Sequence, residues 1–119
     1  MKIRNLTTGK IIAEDADLAD TYWKRIKGLM FRQTGSMLFT FKKPGFYGIW
    51  MLFMRFPLYI IFLDSQMRVI DIAENARPVS LNPKTWRTYY PEKPAKYILE
   101  IPNNRKLDGI KIDDRVSMS

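Results

Sequence analysis

Residues 45–63 run almost without polar side chains, and the run is broken by a single charge, Arg55, with Pro57 two positions later. A stretch of this length invites a membrane helix, which needs about 20 apolar residues. Arg55 argues against one, because a charge near mid-span costs about 2.5–3.5 kcal/mol even on the lenient insertion scale, and Pro57 interrupts helical hydrogen bonding. The uncharged pieces, residues 45–54 and 56–63, are too short to cross a bilayer. Their aromatic and β-branched content suits strands, so two buried strands joined at Arg55-Phe56-Pro57 are expected, with no transmembrane segment.

The remaining chain reads in the same terms. Residues 2–6 and 10–13 form a hairpin turned at Thr7-Thr8-Gly9. Asp15 or Asp17 is placed to cap a helix carrying Leu18, Tyr22 and Ile26 at fourfold spacing, with Trp23 beside them and Gly28 at its end. Residues 36–41 read as a strand with Met37, Phe39 and Phe41 on one face, followed by a turn at Lys42-Lys43-Pro44-Gly45. Residues 58–64 and 67–73 form a second hairpin. Residues 75–94 hold Pro78, Pro83, Pro91 and Pro94, which exclude a regular element of any length and leave a long loop. Strands follow at 95–101 and 109–118. With 119 residues, 46% of them hydrophobic, the chain makes one domain, residues 1–119, with one core. The expected fold is mainly β (β-rich α+β), a small sandwich or partly open barrel with one helix in its N-terminal half.

The chain has neither histidine nor cysteine. That absence removes Ser-His-Asp triads, cysteine nucleophiles, disulfides and Cys/His zinc sites. Asp64, Asp71, Asp113 and Asp114 show no known ligand spacing and read as solvated turn acids, so neither metal nor cofactor is expected. Residues 1–8 lack the apolar core of a signal peptide, and the cytoplasm is the expected location.

Twenty lysines and arginines against 12 acids give a formal net charge of +8, which points to an anionic partner. Half of that surplus lies in residues 77–96, where Arg77, Lys84, Arg87, Lys93 and Lys96 face Glu92 alone. Trp86, Tyr89, Tyr90 and Tyr97 are interleaved with them. Cations spaced by flat rings suit single-stranded nucleic acid, with charge for phosphates and rings for bases. The competing reading is that the aromatics pin a proline-rich loop to the body. Arg55 is either structural, reaching solvent or paired with Asp64 or Glu100, or it binds an anion. Arg25, Lys27 and Arg32 offset a helix C-terminal dipole in the simpler reading. Met30, Met37, Met51 and Met54 read as core rather than as a greasy pocket.

Gly28-Leu29-Met30 flanked by Arg25 and Arg32, Met37-Leu38-Phe39, Trp50-Met51, Pro57-Leu58, Phe62-Leu63-Asp64 and Leu99-Glu100, taken in order, resemble the spaced pattern of the domain-of-unknown-function 192 (UPF0127-like) family, its archaeal branch most. The resemblance spans residues 22–116 and implies a small, mostly β fold with no established activity. The family commonly has Asn two residues after its Trp-Met pair, Asp directly after its Pro-Leu pair, and a terminal Gly-Asp. This chain has Phe53, Tyr59 and Asp113-Asp114 there, so no catalytic residue is carried over.

Three functions follow. The leading one is a non-enzymatic β domain that binds a ligand or partner through a cleft near Arg55 and the 75–94 loop, with Arg25, Arg32, Trp50, Arg55 and Asp64 as ligand or anion contacts. The first alternative is a nucleic-acid-associated protein using Arg77, Lys84, Trp86, Arg87, Tyr89, Tyr90, Lys93 and Lys96. The second is an enzyme built from carboxylates and arginines, disfavoured because no side chain has an unperturbed pKa near neutrality.

Overall fold

A computed structural model of the chain describes residues 1–21, 24, 28, 35–103 and 109–119. The apolar run after Pro57 becomes β6 (Leu58–Leu63), which pairs antiparallel with β7 (Val69–Ala76) on one side and β9 (Ala95–Pro102) on the other. Because β6 and β9 are central, both their faces are apolar. Leu58, Ile60, Phe62 and Ile98 point one way, Ile61, Leu63 and Leu99 the other, and each set sits in a separate core cluster. β4 (Ser36–Gly45) lies beyond β9, and β3 (Ala16–Ala19) closes the sheet by pairing parallel to β4, giving the order β3-β4-β9-β6-β7.

Two smaller sheets cover this one. β1 (Ile3–Asn5), β2 (Ile11–Ala13) and β10 (Val116–Met118) form a three-stranded sheet in the order β10-β1-β2, and Ile3, Ile12 and Val116 bury against Leu38, Ile61 and Leu99. On the opposite face a ribbon of β5 (Ile49–Trp50) and β8 (Thr88–Tyr89) brings Met51 and Tyr89 onto Phe39, Ile60 and Phe62. The result is mainly β and layered, as expected, and the sheets do not close into a barrel. Among the described residues no helix is long and apolar enough to cross a membrane.

Four expectations are corrected. The helix does not begin at Asp15 or Asp17: residues 16–19 pair in register with residues 36–39, and Leu18 lies on a strand. Helical backbone appears at Lys24, where Thr21 Oγ1 accepts from the Lys24 N–H at 3.2 Å and the Gly28 N–H donates to the Lys24 carbonyl at 2.8 Å. The spacing that suggested a longer helix continues through Tyr22, Trp23 and Ile26, which lie outside the described residues. Second, the turn expected at Lys42-Lys43-Pro44-Gly45 is the end of β4. A register shift between Thr40 and Gly45 accommodates it, and Tyr47 folds back to stack on Phe41 with ring centroids 3.8 Å apart, its hydroxyl donating to the Lys43 carbonyl at 2.7 Å.

Third, residues 45–54 are not one buried strand. Exposure alternates there, with Phe46, Gly48 and Trp50 outward and Tyr47, Ile49 and Met51 turned in, and the chain leaves the strand in a turn closed by the Met54 N–H on the Met51 carbonyl. Fourth, residues 75–94 are less irregular than their prolines suggest. β7 runs through Ala76, and a 3-10 turn at Pro83–Thr85 and the short β8 follow. The last strand is shorter than expected, covering Val116–Met118.

Candidate functional site

The β5–β8 ribbon brings Trp50 beside the segment that carries Arg87, Tyr89 and Tyr90. Ile49 pairs with Tyr89 and Trp50 with Thr88, and paired residues in an antiparallel ribbon share a face. Ile49 and Tyr89 pack into the core, so Trp50 and Thr88 look outward. Tyr90 turns outward as well, and its ring lies over Gly48: a Cβ on that glycine would sit 2.6 Å from the ring and 2.5 Å from the Thr88 methyl. Trp50 is 52% and Tyr90 61% exposed. Trp86 is 59% exposed although its indole N–H donates to the Ser80 carbonyl at 2.6 Å, which fixes the edge of the ring and leaves its face free. Pinning and display are therefore combined in one residue.

The cations of the same stretch of chain are mostly exposed. Arg77, Lys84, Arg87 and Lys93 are exposed, and Lys96 is half-buried with its ammonium 5.8 Å from the Tyr97 ring centroid. The Arg87 guanidinium lies 4.4 Å from the centroid of Tyr89, which holds it at the ribbon's edge. Leu81, Phe46 and Phe53 are exposed as well, which the apolar run at residues 45–63 does not announce for its two phenylalanines. Beneath the ribbon a cleft of about 280 Å³ opens between β7 and the 87–90 segment, lined by Phe62, Asp71, Glu74, Arg87 and Tyr90. A larger cleft of about 480 Å³ lies elsewhere, between β2 and the ends of β4 and β9, and its described lining carries Glu14 and Ser36 but no cation or aromatic ring.

Of the described ligand-contact candidates, Arg55 and Asp64 do not come together. Trp50 belongs to the ribbon, and Arg55 is exposed in the segment before β6. Asp64 lies past the far end of β6, about 20 Å away along a six-residue strand, so the two cannot pair. Asp64 instead shapes the β6–β7 hairpin: its Oδ1 accepts from the backbone N–H groups of Gln66 and Arg68, each at 2.9 Å. Arg25 and Arg32 lie outside the described residues. The core reading of methionine holds for Met37, Met51 and Met54, all buried on the ribbon side of the large sheet; Met30 lies outside the described residues.

The acidic candidates also change. Asp114 is a buried acceptor rather than a solvated turn acid. Its Oδ2 takes Asn5 Nδ2 at 2.9 Å and the Lys111 N–H at 2.9 Å, tying the C-terminal segment to β1. Glu100 is 3% exposed on β9, between Met37 and Ile60, and burial pushes its carboxyl up to about 8. It forms no ion pair among the described residues, which removes it as the partner of Arg55. A group that titrates near neutrality is therefore present. Its only local signal was one acid within the apolar run of residues 98–101.

Backbone geometry accounts for the residues the family pattern leads one to expect at two of the three differing positions. Phe53 has φ 62° and Asp113 φ 78°. Asn and Gly are the residues that adopt this conformation most readily, so the Asn and Gly that the resemblance leads one to expect there serve the turn. Tyr59 sits on β6 opposite Ile101 and packs against the second core cluster, where an Asp would meet apolar neighbours.

Comparison with known proteins places this geometry. The family model for DUF192, described as "Uncharacterized ACR", matches residues 3–118. A UPF0127 protein of Thermococcus sibiricus is 37% identical over 102 residues, covering 82% of this chain and 61% of that protein, and one of Pyrococcus furiosus is 38% identical over 104 residues, covering 82% and 80%. The chain thus spans less than two thirds of the Thermococcus relative. Among solved structures, a protein of unknown function from Novosphingobium aromaticivorans superposes with a TM-score of 0.81 at 29% identity, over 98% of this chain and 82% of that one. A putative transcription regulator from Sinorhizobium meliloti gives 0.80 at 26% identity, over 98% and 89%.

Proposed function

The chain belongs to the uncharacterised DUF192 family, and from that premise we propose that it is a non-enzymatic binding domain whose β5–β8 ribbon takes an anionic partner with flat rings, namely single-stranded nucleic acid in the cytoplasm. The observation that carries this reading is the exposure of Trp50, Trp86 and Tyr90, with Trp50 paired to the 77–93 segment, whose Arg77, Lys84, Arg87 and Lys93 are exposed as well. Large aromatic rings contribute most to stability when buried, so three exposed rings, Trp50 on the ribbon, Tyr90 next to it and Trp86 at the end of the 3-10 turn, are available for stacking. The backbone supports their orientation, since Gly48 makes room for Tyr90 and Ser80 anchors Trp86. The name of the Sinorhizobium neighbour, a putative transcription regulator, agrees with a nucleic-acid partner.

Fluorescence anisotropy with a labelled single-stranded RNA tests the reading. Each exposed ring that stacks on a base contributes about 1–3 kcal/mol, so Trp50→Ala and Tyr90→Ala are each expected to weaken binding about 5- to 150-fold without changing the thermal midpoint by more than a few degrees. Affinity unchanged by both substitutions, in protein that remains folded, would refute the ribbon as the site.

A further inference from the structure

The outer surface of the β10-β1-β2 sheet carries three exposed arginines that the ribbon leaves unused. Alternation along β1 and β10 turns Ile3, Asn5 and Val116 inward and leaves Arg4, Arg115 and Ser117 outward. Arg4 lies directly opposite Ser117, which puts Arg115, two residues before Ser117, diagonally about 7–8 Å from it. On its other side β10 meets the residue before β7, through a bridge between Arg115 and Arg68. The Val116 N–H donates to the Met67 carbonyl at 2.9 Å and the Val69 N–H to the Asp114 carbonyl at 2.8 Å. Arg68 and Arg115 are therefore a non-hydrogen-bonded pair, with Cα atoms about 4.5 Å apart and side chains on one face. Like charges so placed repel, and Arg4, Arg68 and Arg115 form no ion pair among the described residues. The acids nearest in sequence face elsewhere. Asp64 accepts from the backbone of Gln66 and Arg68, Asp114 from Asn5 and the Lys111 N–H, and exposed Asp113 pairs with none of the three. Arg115 engages only its Nε, on the Gln66 carbonyl at 3.5 Å.

We propose that this face is a second nucleic-acid contact, one that takes the phosphate backbone of a duplex, with Arg4, Arg68 and Arg115 on phosphate oxygens and the Ser117 hydroxyl among them. Guanidinium forks match phosphate oxygens two at a time, and an anion laid across the three relieves the repulsion between them. The face carries no aromatic ring: the residues flanking the arginines are Leu6, whose N–H bonds the Arg115 carbonyl, and Ile11, opposite Arg4. A duplex keeps the faces of its bases stacked inside and offers phosphates outside, so its partner needs charge without rings, the converse of the ribbon. The β10-β1-β2 sheet and the ribbon cover opposite faces of the five-stranded sheet, so the two sites are separate and this one stands on its own residues.

The test is anisotropy with a short labelled blunt-ended DNA duplex, read beside labelled single-stranded RNA. Three phosphate contacts on a duplex predict a slope of log affinity against log salt of about −2.7, a loss of about 40-fold between about 50 and 200 mM. The combined variant Arg4→Gln, Arg68→Gln, Arg115→Gln is expected to lose duplex binding and to leave single-stranded RNA affinity unchanged. Its thermal midpoint is expected to stay or to rise, because the repulsion between residues 68 and 115 is gone. Duplex affinity that survives the triple substitution overturns the proposal. So does native protein that ignores the duplex at about 50 mM salt while binding single-stranded RNA, a result that leaves the ribbon reading intact. Duplex binding that the variant loses, in protein that never binds single-stranded RNA, supports this face and removes the ribbon reading. Native protein that ignores the duplex but sediments with phosphatidylglycerol vesicles through the same arginines overturns the proposal in favour of a lipid surface.

Discussion

Phe53 holds a positive-φ conformation that costs an ordinary L-residue about 1–2 kcal/mol. The same backbone suits Asn, so Phe53→Asn is expected to raise unfolding stability by about 0.5–1 kcal/mol, measured by urea denaturation. A loss of stability would show that the Phe53 ring contributes more than its backbone costs. Glu100 makes the complementary case of a side chain held against its preference. In the folded chain its proton stays on up to about pH 8, whereas the unfolded carboxyl releases it above about 4.5. Between those values the folded state binds the extra proton, so stability falls as pH rises, by roughly 1.4 kcal/mol per unit, and levels off above about 8. Urea midpoints across that window are expected to show this slope in the native chain and to lose it in Glu100→Gln. An unaltered slope in the variant would place the titrating group elsewhere. Neither property was legible locally. Phe53 lies in an apolar run that reads as strand, and the burial of Glu100 comes from strands distant in sequence, β4 and β6, closing on either side of β9.

Elements whose partners lie nearby in the chain are legible in the sequence, and elements defined by distant partners are not. The β1–β2 and β6–β7 hairpins follow from alternation, and from short breaks at Gly9 and at Ser65-Gln66. The fourfold spacing of Leu18, Tyr22 and Ile26 imitates a helix where β3 lies, because the pairing of β3 with β4 joins residues 20 positions apart (Ala16 with Ser36) and leaves no local mark. The ribbon depends on a longer connection still, Ile49 to Tyr89, and no local period announces it. Its architecture makes a specific prediction. A methyl group on Gly48 would collide with Thr88 and with the far end of the Tyr90 ring, which is exposed and free to swing away. Gly48→Ala is therefore expected to keep the fold, with a small change in thermal midpoint, and to weaken single-stranded RNA binding severalfold by re-aiming Tyr90. Full affinity in this variant would mean that Tyr90 does not stack as placed.

Across the whole molecule, the core and the binding surface separate by layer. The five-stranded sheet is covered on one face by the β10-β1-β2 sheet and on the other by the ribbon, so the ribbon's inner residues complete the core while its outer residues stay in solvent. This division lets a small domain display large rings without exposing its interior. The surplus of charge plain in the sequence stays at the surface, where Arg77, Lys84, Arg87 and Lys93 are exposed and Arg87 lies beside Tyr89 of the ribbon, while Arg55 and Asp64 are parted by the length of β6. The most direct test of the central claim is the salt dependence of single-stranded RNA binding between about 50 and 200 mM. Four phosphate contacts on a single strand predict a slope of log affinity against log salt of about −3, and replacing Arg77, Lys84 and Lys93 together by alanine should bring it to about −1. A slope near zero in the native chain, or one that the triple substitution leaves unchanged, would contradict the assignment of this face as the nucleic-acid site.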